Sequence, residues 1–491
     1  MPHTFNEITI LNYQMESQLK RREFLKTAFI GAGLLIGGER IGFAWQRSLA
    51  QSKALPIDPN NPSIVLHRDR CRNCGRCQNF CRNVMSVFGQ TVPTGEDACI
   101  HCGQCTIFCS RVISEKYHYQ AVAEAIANPD KIVIASTAPA IRVAFGEMYG
   151  LAPGTDVEGK IVASLKHFGV DTVLDATFSA DLTVVEEATE LLLRLEMDSH
   201  DRPLPMFTSC CPAWVRFVKL FYPNFLPHLS TLKSPVMTQG ALVKTYFAQK
   251  TGIDPAKIVH IALTPCTAKK AEILLPEMNA AGIMHGKPEM RDVDIALTTR
   301  ELAYLLNDGR IDFLQAQDEP YSSLMGTGSG AGLIFGNTGG GMEATVRTAY
   351  KLLNDKNPPA DFFNLTPVRG FDGVRQANIH LGKRSLNVAV VHGTGEARPF
   401  LDAIQNGTQK FDFVEVMACS GGCIGGGGQP VNTNMDATAL KQLRLNALYQ
   451  RDDGKEIRLS CDNPEIKTIY DEFLGEPFSV KSKELMHIQY D

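Results

Sequence analysis

The sequence has little net charge and no hydrophobic run long enough to cross a membrane comfortably. The net charge of the 491 residues is −4 at pH 7, which argues against a nucleic-acid-binding surface because such surfaces are strongly basic. The main apolar run, residues 27–38, is short and rich in glycine. Hydrophobic residues make up 44% of the chain, which is ordinary for a soluble globular protein. At about 150 residues per domain, the length predicts two or three domains.

The N-terminus has the features of an export signal. Residues 20–26 read KRREFLK, which has the form of a twin-arginine signal, and residues 48–50 offer small residues for cleavage. Twin-arginine export moves folded proteins, so it suits a protein whose cofactors are inserted in the cytoplasm. We therefore predict a signal peptide over residues 1–50, the twin-arginine translocon as a partner and a periplasmic location. The alternatives are a basic amphipathic start or a membrane anchor.

Eight of the fourteen cysteines form an internal repeat with the spacing C-x2-C-x2-C-x3-C. This spacing is typical of bacterial two-cluster ferredoxins, in which the fourth cysteine of each run binds the other 4Fe–4S cluster. We predict an α+β, two-4Fe–4S ferredoxin-like domain over residues 60–120, with zinc as a remote alternative. One cluster would be bound by Cys71, Cys74, Cys77 and Cys109, and the other by Cys99, Cys102, Cys105 and Cys81.

Strand-like and helix-like segments alternate from about residue 128, which predicts an α/β domain over residues 128–491. One amphipathic helix is expected at residues 181–196, where apolar residues recur on one face. Another helix is expected to begin at Pro139, since proline is tolerated in a first turn. Strands are predicted at residues 131–137, 171–175, 205–208, 257–263, 293–297, 386–391 and 413–417.

A glycine-rich segment, residues 415–430, contains Cys419 and Cys423. Backbone without Cβ atoms can pass close to a bulky object, so we interpret this segment as wrapped around an inorganic cluster. A disulfide or a plain loop is the alternative. Cys211, Cys266 and Cys419 each follow a predicted strand, and ligands collect at the carboxyl ends of strands in α/β sheets. With Cys423 they are suited to binding one more 4Fe–4S cluster.

Three segments resemble the signature motifs of iron-only (FeFe) hydrogenases: residues 208–214 (TSCCPAW), residues 265–270 (PCTAKK) with Glu272, and residues 415–430. The resemblance covers residues 60–491 and implies an α/β hydrogenase catalytic domain with a small-subunit-like tail from about residue 435. It implies the reaction H2 ⇌ 2 H+ + 2 electrons at an H-cluster. There, the thiolate of Cys423 would join the 4Fe–4S cluster to a diiron subsite, which carries CO, cyanide and a bridging dithiolate. The link through Cys423 is expected to leave no room for side chains.

The resemblance also implies roles for residues around the H-cluster. Cys210 would relay protons through Glu187, Ser230 and Glu190 to Arg194 at the surface. Without the resemblance, Cys210 could be an inert thiol and the two glutamates part of a solvated helix face. Lys269 would support a cyanide ligand. The diiron pocket would be lined by Ala138, Pro139, Ser234, Pro235, Phe335, Gly336 and Met417.

These features predict an exported hydrogenase that oxidises H2 and sends electrons through two 4Fe–4S clusters to a ferredoxin or a c-type cytochrome. Hydrogenase maturation proteins would build its diiron unit, and no nucleic acid is expected as a partner. One alternative is a non-catalytic iron–sulfur relative, such as those that act in cluster assembly. Another is a hydrogen sensor, which Thr264 keeps open because many relatives have methionine there.

Overall fold

The computed structural model describes residues 54–197, 201–371 and 373–490. The predicted signal peptide, residues 1–50, therefore lies outside the described residues. Lys53–Asp491 forms one compact unit, which contains both the ferredoxin-like segment and the α/β part. Within the described ranges, no helix has the length and apolar character needed to cross a membrane.

The ferredoxin-like segment is built around a short antiparallel pair of strands, β1 and β2, in which Val65 lies opposite Ser114. Two short helices, α1 and α2, each begin just after a glycine with a positive φ, Gly75 and Gly103. These helices carry Cys77, Cys81 and Cys105, and the other cysteines of the repeat lie in the adjoining loops. The elements are β1 (Ile64–Leu66), α1 (Arg76–Asn83), α2 (Gln104–Phe108) and β2 (Ile113–Glu115).

The rest of the chain contains two four-stranded sheets. The first has the order β4-β3-β6-β7 and is entirely parallel. The second has the order β5-β10-β9-β8, with a parallel core and one antiparallel hairpin, β8–β9. The strands are β3 (Ile132–Thr137), β4 (Thr172–Asp175), β5 (Met206–Phe207), β6 (Ile258–Thr264), β7 (Ile295–Thr298), β8 (Val374–Leu381), β9 (Arg384–His392) and β10 (Phe413–Met417).

Helices surround both sheets, and the longest of them, α5, packs against α7, α12 and α13. After α1 and α2, the α-helices in chain order are α3 (Tyr119–Ala127), α4 (Glu158–Phe168), α5 (Ala176–Glu196), α6 (Pro212–Phe221), α7 (Pro235–Leu242), α8 (Ala248–Thr251), α9 (Lys269–Glu272), α10 (Ala280–Met284), α11 (Thr299–Asp308), α12 (Gly330–Ile334), α13 (Gly340–Asn354), α14 (Thr394–Gln405), α15 (Ala437–Asp453), α16 (Pro464–Ile469) and α17 (Val480–Met486).

The seven predicted strands are confirmed, with ends that shift by one or two residues. The eighth strand of the two sheets, β8, was not predicted, because it lies at a sheet edge and mixes apolar with polar residues. The predicted helix at Pro139 is wrong. It is a single 3-10 turn, Pro139–Ile141. The chain then bends so that the guanidinium of the buried Arg142 donates to Asp175 and Thr177.

The helix predicted from Asp181 begins five residues earlier, at Ala176. Asp175 caps it, since its Oδ1 accepts from the backbone N–H of Thr177 at 2.9 Å. The first turns are buried on every side, so no amphipathic period marks them in the sequence.

Candidate active site

Three cysteines from distant parts of the chain, Cys211, Cys266 and Cys423, line one cavity, and the thiol of Cys419 lies near theirs. Cys211 follows β5, Cys266 follows β6, and Cys419 and Cys423 follow β10, so the cavity lies where strands of both sheets end. Burial and the neighbouring thiols raise the pKa of both Cys266 and Cys423 to about 12. Such thiols stay protonated at neutral pH unless a metal binds them as thiolates. The thiols of Cys211, Cys266, Cys419 and Cys423 lie near one another, which suits a metal cluster, and Cys419 and Cys423 form no disulfide.

The cavity has a volume of about 80 Å³ and mainly apolar walls. Of the seven residues expected to line it, only Ser234 is not a lining residue. The Ser234 hydroxyl is buried and has no hydrogen-bond partner in the described part of the chain. The expected residues that do line the cavity are Ala138, Pro139, Pro235, Phe335, Gly336 and Met417, together with Cys210, Cys211, Cys266, Cys423 and Lys269.

Lys269 brings a positive charge to the cavity wall. Its Nζ donates to Glu272 Oε2 at 2.7 Å and to the carbonyl oxygen of Cys210 at 3.3 Å. Burial disfavours the charge, but the ion pair with Glu272 and the nearby thiols raise the lysine pKa overall. The ammonium group is thus held charged and fixed beside the cysteines, where it can donate to an anionic ligand.

Two glutamates of α5 continue from Cys210 into the protein. Glu187 and Glu190 are 1% and 0% exposed, so the alternative of a solvated helix face is wrong. Burial, with the nearby charge of Glu190, raises the pKa of Glu187 to about 8. Burial and the charge of Glu187 raise the pKa of Cys210 well above its usual value. Ser230 Oγ donates to Glu190 Oε2 at 3.0 Å and lies near Glu187, whose pKa it lowers.

Arg194 is not at the surface, as the sequence analysis expected, but only 4% exposed. Its guanidinium donates to Glu190 Oε1 from Nη2 at 2.6 Å and from Nε at 3.0 Å. It also donates to the carbonyl oxygens of Pro203, Pro227, His228 and Leu229. Because the carbonyl oxygens accept the remaining hydrogen bonds of the guanidinium, the arginine can stay buried. Its two bonds to Glu190 hold that carboxylate in place.

Two segments of the chain match known protein families. Residues 131–427 match the iron only hydrogenase large subunit, C-terminal domain. The chain belongs to this family. Residues 438–491 match the iron hydrogenase small subunit, so both parts are present in this one chain.

Relatives and solved structures agree with this assignment. The chain is 42% identical to the NADP-reducing hydrogenase subunit HndD of Solidesulfovibrio fructosivorans, covering 87% of this chain and 74% of that protein. It is also 42% identical to the periplasmic Fe hydrogenase large subunit of Nitratidesulfovibrio vulgaris, covering 76% and 88%. The structure of an apo FeFe-hydrogenase HydA1 variant from Chlamydomonas reinhardtii matches with a TM-score of 0.67 and 38% identity, covering 76% of this chain and 99% of that one.

More distant relatives of this chain are named for a different function. The cytosolic Fe–S cluster assembly factor narfl of Danio rerio is 29% identical and covers 73% of this chain. The family thus contains proteins that are named for cluster assembly rather than for hydrogen chemistry.

The cysteines of the ferredoxin-like segment fall into two groups in this hydrogenase. The thiol of Cys109 lies near those of Cys71, Cys74 and Cys77, and together with partial burial they raise its pKa. In the second group, the thiol of Cys105 is fully buried and lies near those of Cys99 and Cys81. Cys102 also lies near Cys105 and Cys81. The fourth cysteine of each run therefore lies with the other run, as in the crossed ligand pattern of two-cluster ferredoxins.

The glycine-rich segment packs closely against the backbone of neighbouring loops, which is a second reason for glycine beside the expected bridge at Cys423. A Cβ on Gly427 would lie 2.2 Å from the carbonyl oxygen of Cys102, and a Cβ on Gly426 would lie 2.3 Å from that of Pro265. Both distances are far below contact distance. These glycines are needed because neighbouring loops approach, including a loop of the ferredoxin-like segment.

Gln104 connects the two parts of the hydrogenase and was missed by the sequence analysis. Its Nε2 donates to Cys419 Sγ at 3.1 Å and to the carbonyl oxygen of Gly425 at 2.8 Å. The sequence analysis also missed a threonine beside each glutamate. Thr345 donates to Glu187, and Thr231 donates to Glu190. No local pattern marks such contacts, since Gln104 and Cys419 are 315 positions apart.

Proposed function

We propose that this chain is a periplasmic iron-only hydrogenase that oxidises H2 at an H-cluster and sends the electrons through two 4Fe–4S clusters. The carrying observation is the apolar cavity of about 80 Å³ lined by Cys211, Cys266 and Cys423 together with Cys210 and Lys269, with the buried thiol of Cys419 near the three. A structural iron–sulfur site needs its thiolates but has no need for an adjoining empty cavity with a fixed cation. The cavity leaves room for a second metal unit beside the cysteines.

The residues present fit the H-cluster. Cys211, Cys266 and Cys419 would bind the 4Fe–4S cluster, and Cys423, which lines the cavity, would bind it and the diiron unit. When bound, the H-cluster supplies the reversible cleavage of H2, and dedicated maturation proteins build its diiron unit. The protein contributes a dry pocket, a fixed ammonium group at Lys269 and a path for protons.

The proton path is formed by side chains that extend from the cavity into the protein. Cys210 takes up a proton at the cavity and passes it to Glu187. Ser230, which lies near Glu187 and hydrogen-bonds to Glu190, passes it on to Glu190. A buried carboxyl with a pKa of about 8 is suited to this task near neutral pH, because its two protonation states are close in free energy.

Electrons would leave through the ferredoxin-like segment. Its two groups of four cysteines are suited to two 4Fe–4S clusters. Cys102 of the second group lies near Cys419 at the active site. Cys74 of the other group is exposed, where a ferredoxin or a c-type cytochrome could collect electrons. The twin-arginine signal and the relative named periplasmic support uptake of H2 in the periplasm.

Two other functions are compatible with parts of the chain. The assembly-factor relative supports a non-catalytic iron–sulfur protein. A hydrogen sensor would agree with Thr264, whose hydroxyl donates to the carbonyl oxygen of Cys266 at 3.1 Å. The buried path from Cys210 to Glu190 favours the hydrogenase, since neither alternative needs rapid proton transfer.

The test is infrared spectroscopy of the matured protein together with H2-dependent reduction of a dye. We expect CO and cyanide bands and turnover. A Cys210→Ala variant should keep the bands and lose most of the turnover, because the first group of the proton path is gone. Bands without turnover in the unaltered protein would favour the sensor, and absence of both would favour the non-catalytic protein.

A further inference from the structure

A second hydrogen-bonded branch starts at Glu190 and leads into the C-terminal tail. Thr231 Oγ1 donates to Glu190 Oε2 at 3.1 Å and lies 2.7 Å from Nδ1 of His487. The other ring nitrogen, Nε2, lies 3.3 Å from Oε2 of Glu186. His487 directly follows α17. An unbroken series of proton-exchanging groups therefore extends from the Glu190 carboxylate to the small-subunit segment.

Arg194, the other partner of Glu190, cannot carry a proton onward. A guanidinium stays protonated at any working pH and has no acceptor atom. Its N–H groups are already used by Glu190 and by carbonyl oxygens, and its side chain is only 2% exposed. A proton that reaches Glu190 therefore needs a route that does not pass through this arginine.

The groups of the branch have the properties that a route needs. A threonine hydroxyl can accept one proton while it donates another, and imidazole can be protonated on one nitrogen and deprotonated on the other. The side chain of His487 is 7% exposed. Resting on the proposed hydrogenase function, we propose that Thr231 and His487 form the exit by which protons pass between Glu190 and solvent.

The transfer is balanced at each atom. The Glu190 carboxyl gives its proton to Oγ1 of Thr231 as the hydroxyl gives its own proton to Nδ1 of His487. The imidazolium formed then releases a proton to water, and the same steps in reverse bring protons inward when H2 is produced. Only these O–H and N–H bonds form and break, and no oxidation or reduction takes place.

Glu186 stabilises the imidazolium that forms in this transfer. It is fully buried and also accepts from the hydroxyl groups of Tyr470 and Ser482 and from the backbone N–H of Phe478. The Phe478 ring packs edge-on against the imidazole, 4.8 Å between ring centroids. Lys483 and Arg202 lie against that same ring, and Arg194 is bonded to Glu190 at the start of the branch.

The test uses matured holoenzyme with Thr231→Val or His487→Ala. Tyr470→Phe is the matched control, since it removes another hydrogen bond to Glu186 but touches neither Thr231 nor His487. The rate of H2 production is measured from acid to alkaline pH, with and without added imidazole. The infrared CO and cyanide bands report separately whether the H-cluster is intact.

We expect both variants to keep the bands and lose turnover by about tenfold or more, because positioned proton-transfer groups contribute about 100-fold or more. Imidazole should restore part of the rate in His487→Ala but not in Thr231→Val. Losses below about threefold, no restoration, or an equal loss in Tyr470→Phe would overturn the branch. Absence of bands and turnover in the unaltered protein would instead contradict the hydrogenase function itself.

Discussion

Single acidic residues of α5 differ in role because their partners differ. Asp181 accepts from Ser329, Ser460 and Asn463, which fixes the start of α12 and the segment before α16. Glu187 has fewer donors, and burial raises its pKa to about 8. Carboxyl groups on one helix thus become a structural anchor or a proton carrier according to what surrounds them.

The raised pKa of Glu187 makes the stability of the protein depend on pH. Its usual pKa of 4.5 applies in the unfolded chain and about 8 in the folded one, so the folded state holds the proton more tightly. The stabilisation is complete below pH 4.5 and is lost as the pH rises through 8. We expect the difference in thermal midpoint between the protein and Glu187→Gln to change across this window. A difference independent of pH would contradict the raised pKa.

Arg194 should matter for stability as well as for positioning Glu190. Arg194→Gln leaves a buried carboxylate without its cation, which is expected to lower the free energy of unfolding by about 3 kcal/mol. Lys166→Gln is the control, because its ion pair with Glu319 is largely solvent-exposed and should contribute little. Denaturant unfolding of both variants measures the difference, and equal stability would show that the Arg194 pair is not needed.

The cysteines proposed to bind metal could be singled out from the sequence, whereas the partners that support the site could not. Close spacing marks the cysteines of the repeat, and predicted strands lead to Cys211, Cys266 and Cys419. Thr231 and Thr345 contact the glutamates only through tertiary packing, so nothing near them in the sequence indicates their position. The buried state of Arg194 is likewise a tertiary effect, since four carbonyl oxygens from two loops satisfy its donors.

At the scale of elements, strands were predicted better than helix ends. The strands are buried and rich in β-branched residues, which gives a clear local signal. Helix α5 is buried on all sides near its start, so its amphipathic period is not visible in the sequence before Asp181. The turn at Pro139 has a helix-like beginning, but the buried bonds of Arg142 hold the following chain in another direction.

The glycine-rich segment gives a prediction at this scale. Gly427→Ala would place a Cβ 2.2 Å from the carbonyl oxygen of Cys102, which must move the two loops apart. We expect destabilisation by about 1–3 kcal/mol, the usual cost of overpacking. Gly454→Ala is the matched control, since its nearest neighbour would be 3.4 Å away. Thermal unfolding at equal iron content makes the comparison, and identical midpoints would show that the segment tolerates side chains.

At the scale of the whole molecule, the active site lies where the ends of two sheets meet the ferredoxin-like segment. The sequence predicted α/β texture and convergent strand ends, but not the division into two sheets. That division depends on which strands pair, such as β10 with β9 and β5, and pairing over such separations leaves no local trace.

Loss of an accessory cluster should lower the iron content of the protein without affecting the catalytic cluster. Cys71→Ala is expected to remove one 4Fe–4S cluster, about four irons per chain, and to leave the infrared bands of the H-cluster unchanged. Cys461→Ala is the control, because this free thiol packs in another apolar cluster and should hold no iron. Loss of the CO and cyanide bands in Cys71→Ala would show that the metal sites assemble together.

The hydrogen bond from Gln104 to Cys419 has a consequence for the energy of electrons at the catalytic centre. Hydrogen bonds to ligand sulfur shift the reduction potential of an iron–sulfur cluster. This donor lies outside residues 131–427, the segment shared with the large-subunit family. A chain shortened to that segment would keep every proposed ligand of the catalytic cluster. The reduction potential of that cluster would nevertheless differ. If the proposed clusters carry the electrons, the N-terminal segment would both conduct them and help to set the free energy of the reaction.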